Sequence, residues 1–248
     1  MEIFVLKSDE VAAITRGTHG NPHHILGMHQ CLNDCYVNAY LPRATAAFVL
    51  RINEETGEPI FKYPMTEIGS QGFFTVKIED SGAFAYKLIT EGEQAAEFYD
   101  PYSFGYSVDP VNVMKVVNGD DGILSDFHVK DLFGARQITL DGVQGVSFCM
   151  NMPGATRVSV VGDFNGWDGR VNPMRRIDYT DMFELFIPGD LMNTRYKFEA
   201  LYRDGNTDIF ADPYAEVYEV APGNASVLAK LEYSWSDSSY MKKRGSVS

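Results

Sequence analysis

The 248-residue chain is 45 % hydrophobic and 22 % charged, which is the composition of a folded globular protein, and its length suits one large domain or two of ordinary size. A net charge of −13 argues against nucleic acid as a partner, because phosphate contacts need Lys and Arg to displace counterions. No run approaches the ~20 apolar residues of a membrane span, Met1–Lys7 does not read as a signal peptide, and three cysteines build no disulfide framework, so a cytoplasmic protein is expected.

In chain order, Ser8 or Asp9 can cap a short helix through Glu10–Ile14 that Gly17 ends. The following loop gathers His19, His23, His24 and His29. Such a group invites a metal reading, but in a Gly- and Pro-containing loop these side chains are read as packing residues, and no metal is expected. Cys31 and Cys35 have no second cysteine pair to complete a zinc site. Beyond them the chain is a series of short apolar runs cut by Gly, Pro, Asn and Asp. Strands are expected over Val37–Tyr40, Ala47–Ile52, Gly72–Ile78 and Phe84–Ile89, then over Val146–Met150, Arg157–Val161, Met182–Ile187, Tyr196–Tyr202 and Ser226–Leu231. Helical periodicity recurs only over Ile123–Phe133. The adjacent acids Glu54-Glu55 and Asp120-Asp121 read as solvated loop charge.

The chain repeats itself. Leu41-Pro42-Arg43-Ala44-Thr45 matches Met152-Pro153-Gly154-Ala155-Thr156 at an offset of 111 (153 − 42). Phe74–Ile78 matches Phe183–Ile187, Ala85-Tyr86-Lys87-Leu88 matches Arg195-Tyr196-Lys197-Phe198, and Asp100-Pro101-Tyr102 matches Asp212-Pro213-Tyr214. Leu26-Gly27 and Phe133-Gly134 form a fifth pair. Collinear matches at nearly one offset indicate a tandem duplication. Each copy has the size of an immunoglobulin-like sandwich, about 100 residues. The expected fold is therefore all-β: two tandem immunoglobulin-like β-sandwiches with a short N-terminal helix, divided as 1–116, 117–232 and a linker over 233–248. Tyr86 and Tyr196 should be buried in both copies, and Asp-Pro-Tyr should form a corner in which Asp bonds nearby backbone.

The copies differ most at Val158–Asp168. Val158, Val160 and Phe164 fall on one strand face, and Asn165-Gly166 offers positive-φ turn chemistry. Trp167 then leaves the buried row on a rigid corner, as a platform for a flat ligand. The first copy has Asn53-Glu54-Glu55-Thr56-Gly57 at this place and no aromatic side chain.

The second copy, through VSVVGDFNGWDGRVNPMRR, MFELFIPG, RYKFEA, ADPYA and NASV, resembles the family 48 carbohydrate-binding module of bacterial glycogen branching enzymes. GTHGNPHHILGMHQ (17–30) and YDPYSFG (99–105) resemble the extra N-terminal module of the same enzymes, and YSWSDSSYMKKR (233–244) is similar to the segment leading into their catalytic (β/α)8 barrel. The resemblance implies α-glucan (glycogen or maltooligosaccharide) as ligand, with Trp167, Lys197 and Asn224 as contact residues, and the parent's barrel as partner. An indole stacks on the C–H face of a glucose ring, and an amide bonds a pair of hydroxyls. Lys87 occupies the place of Lys197 in the copy without the Trp, so a plain surface lysine is the competing reading. The Asp204–Thr207 hairpin lacks the second platform aromatic, which predicts weak binding. A barrel needs about 250 residues, and none of its motifs occurs in these residues. No catalytic residue and no cofactor are therefore expected. The alternative is purely structural: modules that dock on the barrel and set the length of chain transferred.

Overall fold

The computed structural model describes residues 6–31, 33–69, 71–79, 82–93, 95–119 and 132–229. The helical reading of Ile123–Phe133 and the 233–248 linker thus fall largely or wholly outside the described residues.

The chain opens with α1 (Ser8–Arg16). Lys7, not Ser8 or Asp9, stands at its N-cap, with its backbone N–H donated to Glu10 Oε2 at 3.3 Å. Gly17 closes the helix in the left-handed conformation, as its missing Cβ allows. Eight strands follow: β1 (Gly27–Cys31), β2 (Asp34–Tyr40), β3 (Ala44–Ile52), β4 (Pro59–Pro64), β5 (Thr66–Ile68), β6 (Phe73–Ile78), β7 (Tyr86–Gly92) and β8 (Ala96–Tyr99). They form two antiparallel sheets, β1-β2-β6-β5 and β4-β3-β7-β8. Cys35, Val37, Ala39, Val49, Ile78, Tyr86 and Leu88 fill the space between them. Alternation along β2 sends Tyr40 to the opposite face, where Ile14 of α1, Ile25, Leu26 and Phe73 cover it.

After a short helix, α2 (Pro110–Val117), the same plan recurs. The strands are β9 (Gly134–Leu140), β10 (Val143–Asn151), β11 (Ala155–Gly162), β12 (Arg175–Arg176), β13 (Met182–Pro188), β14 (Arg195–Tyr202), β15 (Thr207–Phe210), β16 (Val217–Tyr218) and β17 (Ser226–Val227). One sheet runs β12-β13-β10-β9 and the other β11-β14-β17-β16, with β15 on β14. Phe148, Val158, Val160, Phe183, Leu185, Tyr196 and Phe198 fill the space between the two sheets, and Phe164 packs against them. Val113 of α2 is buried with Cys149, Ile177 and Met182 on the outer face of β10 and β13. The two helices thus cover equivalent sheets. Sequence periodicity missed α2 because it is only two turns long. Its start is nonetheless written in Asp109-Pro110: Asp109 accepts the N–H of Val111 at 2.9 Å, and Pro110 stands at N1.

Eight of the nine expected strands occur with shifted ends; of Ser226–Leu231 only Ser226–Val227 is strand, and its last two residues lie outside the described residues. The runs missed were mostly edge strands such as β4, whose Ile60 and Phe61 are exposed. The Asp-Pro-Tyr corners are the same in both copies. Tyr86 Oη donates to Asp100 Oδ2 and Tyr196 Oη to Asp212 Oδ2, each at 2.7 Å. The other carboxylate oxygen takes the N–H of Tyr102 (2.9 Å) or Tyr214 (2.8 Å). Gly27 and Gly134, both at positive φ, abut these corners. A Cβ on Gly27 would lie 2.5 Å from Tyr102 O, and one on Gly134 2.8 Å from Asp212 Oδ2. The weakest sequence match, Leu26-Gly27 with Phe133-Gly134, is thereby explained.

Candidate functional site

The sequence reading placed the positive-φ turn on Asn165-Gly166. The structure places it one residue later: Gly166 (φ 64°) and Trp167 (φ 63°) are left-handed, while Asn165 stays in a 3-10 turn over Asp163–Asn165. Asn165 is buried and its side chain knots the loop. Its Oδ1 accepts the N–H of Gly162 (2.9 Å) and of Trp167 (3.1 Å), and its Nδ2 donates to Val160 O (2.8 Å) and Asn172 Oδ1 (2.9 Å). A left-handed Trp costs about 1–2 kcal/mol, so this set of bonds is what holds it. The result is an indole 38 % exposed, with Nε1 donating to Asp163 Oδ1 at 3.2 Å.

β14 runs beside this loop, with Gly162 opposite Tyr196 and Val161 opposite Lys197. Tyr196 and Phe198 point into the core, so Arg195 and Lys197 point out. Arg195 bonds Asp163 Oδ1 at 2.9 Å and Oδ2 at 3.0 Å, and Glu219 Oε1 at 3.2 Å. The Arg195 bonds hold Asp163 below the usual carboxylate range. Glu219 is lowered first by the Ala225 N–H and then by Arg195. Lys197 Nζ donates to Asn224 Oδ1 at 2.5 Å. Trp167, Asp163, Arg195, Glu219 and the Lys197–Asn224 pair therefore share one outward surface, with its charges balanced. The first copy differs at one telling place. Lys87 bonds Glu97 Oε1 at 2.8 Å, and Glu97 lies opposite Ile89 as Ile209 lies opposite Glu199. Replacing that carboxylate by Ile209 leaves Lys197 to a neutral amide.

Beneath the loop lies a polar floor that sequence reasoning missed. Buried Arg157 donates to Ser159 Oγ (2.7 Å), Gly169 O (2.6 Å) and Glu199 Oε1 (2.5 Å). Arg157, Ser159 and Glu199 alternate with core residues, so strand parity reads them as solvent-facing. Only the loop folding back over them makes them interior.

Two of the four histidines pack against their own module, while His24 is exposed. His23 sits edge-on to Tyr102 at 5.0 Å, and burial beside Arg175 drives its pKa down to about 2. His29 Nε2 lies 3.1 Å from Leu26 O. No group of three or more His, Cys, Asp or Glu side chains able to hold a metal occurs among the described residues, and none of their helices is long and apolar enough to cross a membrane. The two sandwiches meet along a seam. Phe104 packs edge-on to Phe186 at 4.9 Å. The fully buried Glu184 carboxylate takes the guanidinium of Arg175, the hydroxyl of Ser107 and the N–H of Ser107 (3.0 Å). A cavity of ≈ 300 Å³ lies on this seam, between Tyr40, Arg43, Tyr99, Phe164, Asn172 and Leu191. Trp167, Lys197 and Asn224 do not line it.

Residues 132–215 match carbohydrate-binding module 48 (isoamylase N-terminal domain), and residues 7–102 match the N-terminal domain of the alpha-1,4-glucan branching enzyme GlgB. The chain is 35 % identical to the 1,4-alpha-glucan branching enzymes GlgB of Paramagnetospirillum magneticum (over 96 % of this chain and 31 % of that protein) and Rhodospirillum rubrum (96 % and 32 %). It is also 35 % identical to that of Cereibacter sphaeroides (98 % and 32 %). It thus spans about a third of the length of these relatives. Over nearly its whole length the chain matches the N-terminal region of 1,4-alpha-glucan branching enzymes.

Proposed function

We propose that the second sandwich binds α-1,4-glucan through Trp167, Lys197 and Asn224. The observation that carries this is the half-exposed Trp167 beside an outward Lys–Asn pair, both absent from the first copy. The indole offers a flat apolar face to a sugar ring, and the charged and amide groups offer bonds to its hydroxyls. Glucose is uncharged, and the balanced charges of the surface suit it. One platform without a second aromatic gives weak binding. The reading extends to the whole protein. The relatives are named branching enzymes, so the parent transfers α-1,4-glucan segments into α-1,6 branches in the cytoplasm, and these modules hold it on glycogen without themselves carrying the chemistry. The expected division at 116/117 falls inside α2, whose Val113 is buried with the second sandwich, so we place it just ahead of that helix.

Titration with maltoheptaose should shift Trp167 emission in a Trp235→Phe background, and Trp167→Ala should abolish binding. An unchanged spectrum at millimolar sugar would sink the proposal. The exposed Ile60 and Phe61 of edge strand β4 favour a second role, docking on the parent's catalytic barrel and setting transferred chain length. Capture of a separately produced catalytic domain by a protein that ignores glucan would favour that role alone.

A further inference from the structure

We propose that the first sandwich braces the sugar-binding loop of the second, with Arg43 and Tyr102 as positioning residues for Trp167. This rests on reading Trp167 as the sugar platform.

The loop from Gly162 to Pro173 is clasped from the other module on both sides of the indole. Ahead of it, Arg43 Nη2 donates to Asn165 O at 3.3 Å. The guanidinium lies so flat on Gly166 that a Cβ there would fall 1.9 Å from Nη2. Gly166 is thus favoured by its φ, and a Cβ there would displace the guanidinium. Behind it, Tyr102 Oη lies 3.2 Å from both Val171 O and Pro173 O and shares its one proton between them. Between these points Arg170, fixed by Asp168 at 2.9 and 2.7 Å, lies 5.8 Å over the Tyr40 ring. Its Cγ approaches Gly17 so closely that a Cβ there would sit 2.8 Å away.

A left-handed Trp persists only where its surroundings over-determine the backbone. Asn165 supplies part of that within the second module. Arg43 and Tyr102 supply the rest from outside, and they hold main-chain oxygens, so the loop is fixed whatever its outward side chains are. A free loop would have to be ordered when sugar binds, and that entropy cost would weaken affinity. The two sandwiches are in this way one binding unit: the duplicate without a platform supplies the rigidity of the platform.

The test uses the full chain in the Trp235→Phe background. Arg43→Met keeps the aliphatic stem, Tyr102→Phe keeps the ring, and Lys77→Ala, paired with Asp34 at the opposite end of β2 from Tyr40, is the control. Amide exchange over 163–173 without sugar, the Trp167 emission maximum and the maltoheptaose Kd are measured. We expect faster exchange and a shifted maximum in both brace variants, with Kd about five-fold weaker, the equivalent of one net hydrogen bond. Arg43→Lys should recover part of the loss, and Lys77→Ala should match the parent. Unchanged exchange, or faster exchange with unchanged Kd, overturns the positioning role. Should the parent ignore maltoheptaose, the sugar reading falls, and exchange with emission still decide whether the brace exists.

Discussion

Asp100 is 1 % exposed, yet it is a carboxylate, held by the Tyr86 hydroxyl and the Tyr102 N–H. Burial outweighs these bonds and raises its pKa from 3.8 to about 6. The folded-state value lies above the unfolded one, so its stabilisation is full below pH 3.8 and is lost as pH rises through about 6. Compared with Asp100→Asn, the wild type should gain up to about 3 kcal/mol between pH 7 and pH 4, read from urea midpoints. Equal pH slopes in the two proteins would refute this. Cys149 illustrates burial acting on a thiol: desolvation, and then the Glu184 charge, push its pKa up to about 12. At pH 8 a thiol reagent should label the half-buried Cys31 and leave Cys149 untouched in the native protein. At residue 167 the left-handed backbone separates shape from side chain. Trp167→Gly should be about 1 kcal/mol more stable than Trp167→Ala, and both should lose the proposed sugar binding. A more stable Ala variant in thermal unfolding would contradict the strain.

Among the elements, the Asp163–Pro173 loop depends most on a single side chain. Asn165→Ala removes the acceptor of two N–H groups and the donor to Val160 O and Asn172 Oδ1, three of these four bonds being buried. A loss of about 2–4 kcal/mol is expected, with a change in Trp167 emission, and a loss under about 1 kcal/mol would show that the loop is held elsewhere. Sequence showed this loop as a feature but not as a structure. Phe164 was legible from strand parity and Trp167 from its position after Asn-Gly. The left-handed turn fell one residue late because Asn165 spends its side chain on the interior and not on a turn of its own. Internal repetition was the more informative signal. It located Tyr86 and Tyr196, the two Asp-Pro-Tyr corners and even the Gly27/Gly134 pair. What no pattern could show were the charges turned inward. Arg157, Glu199 and Glu184 sit in strands as surface residues would, and only the elements packed over them bury them.

For the whole molecule, the seam is the decisive structure. Glu184, 0 % exposed, joins Arg175 of its own sandwich to Ser107 of the connecting segment. Glu184→Ala leaves the Arg175 guanidinium buried without its carboxylate, for a cost of about 3–5 kcal/mol. Small-angle scattering should then show a broader range of distances between the sandwiches. An unchanged profile with unchanged stability would mean that the contact does not fix their arrangement. The polar floor beneath the Trp167 loop has a consequence of another kind. Across the equivalent rungs the first sandwich has Phe48 opposite Ile89, while the second has Ser159 opposite Glu199. Phe48 is capped there by Lys62 Nζ at 3.6 Å. The loop is therefore not a portable cassette. Transplanted onto the first sandwich it would lay its carbonyl groups on an apolar bed, and Gly169 O would find no guanidinium to meet it. A duplicated scaffold has thus become two non-interchangeable halves, and a designer wishing to double the Trp-bearing loop would have to exchange the strand faces before the loop.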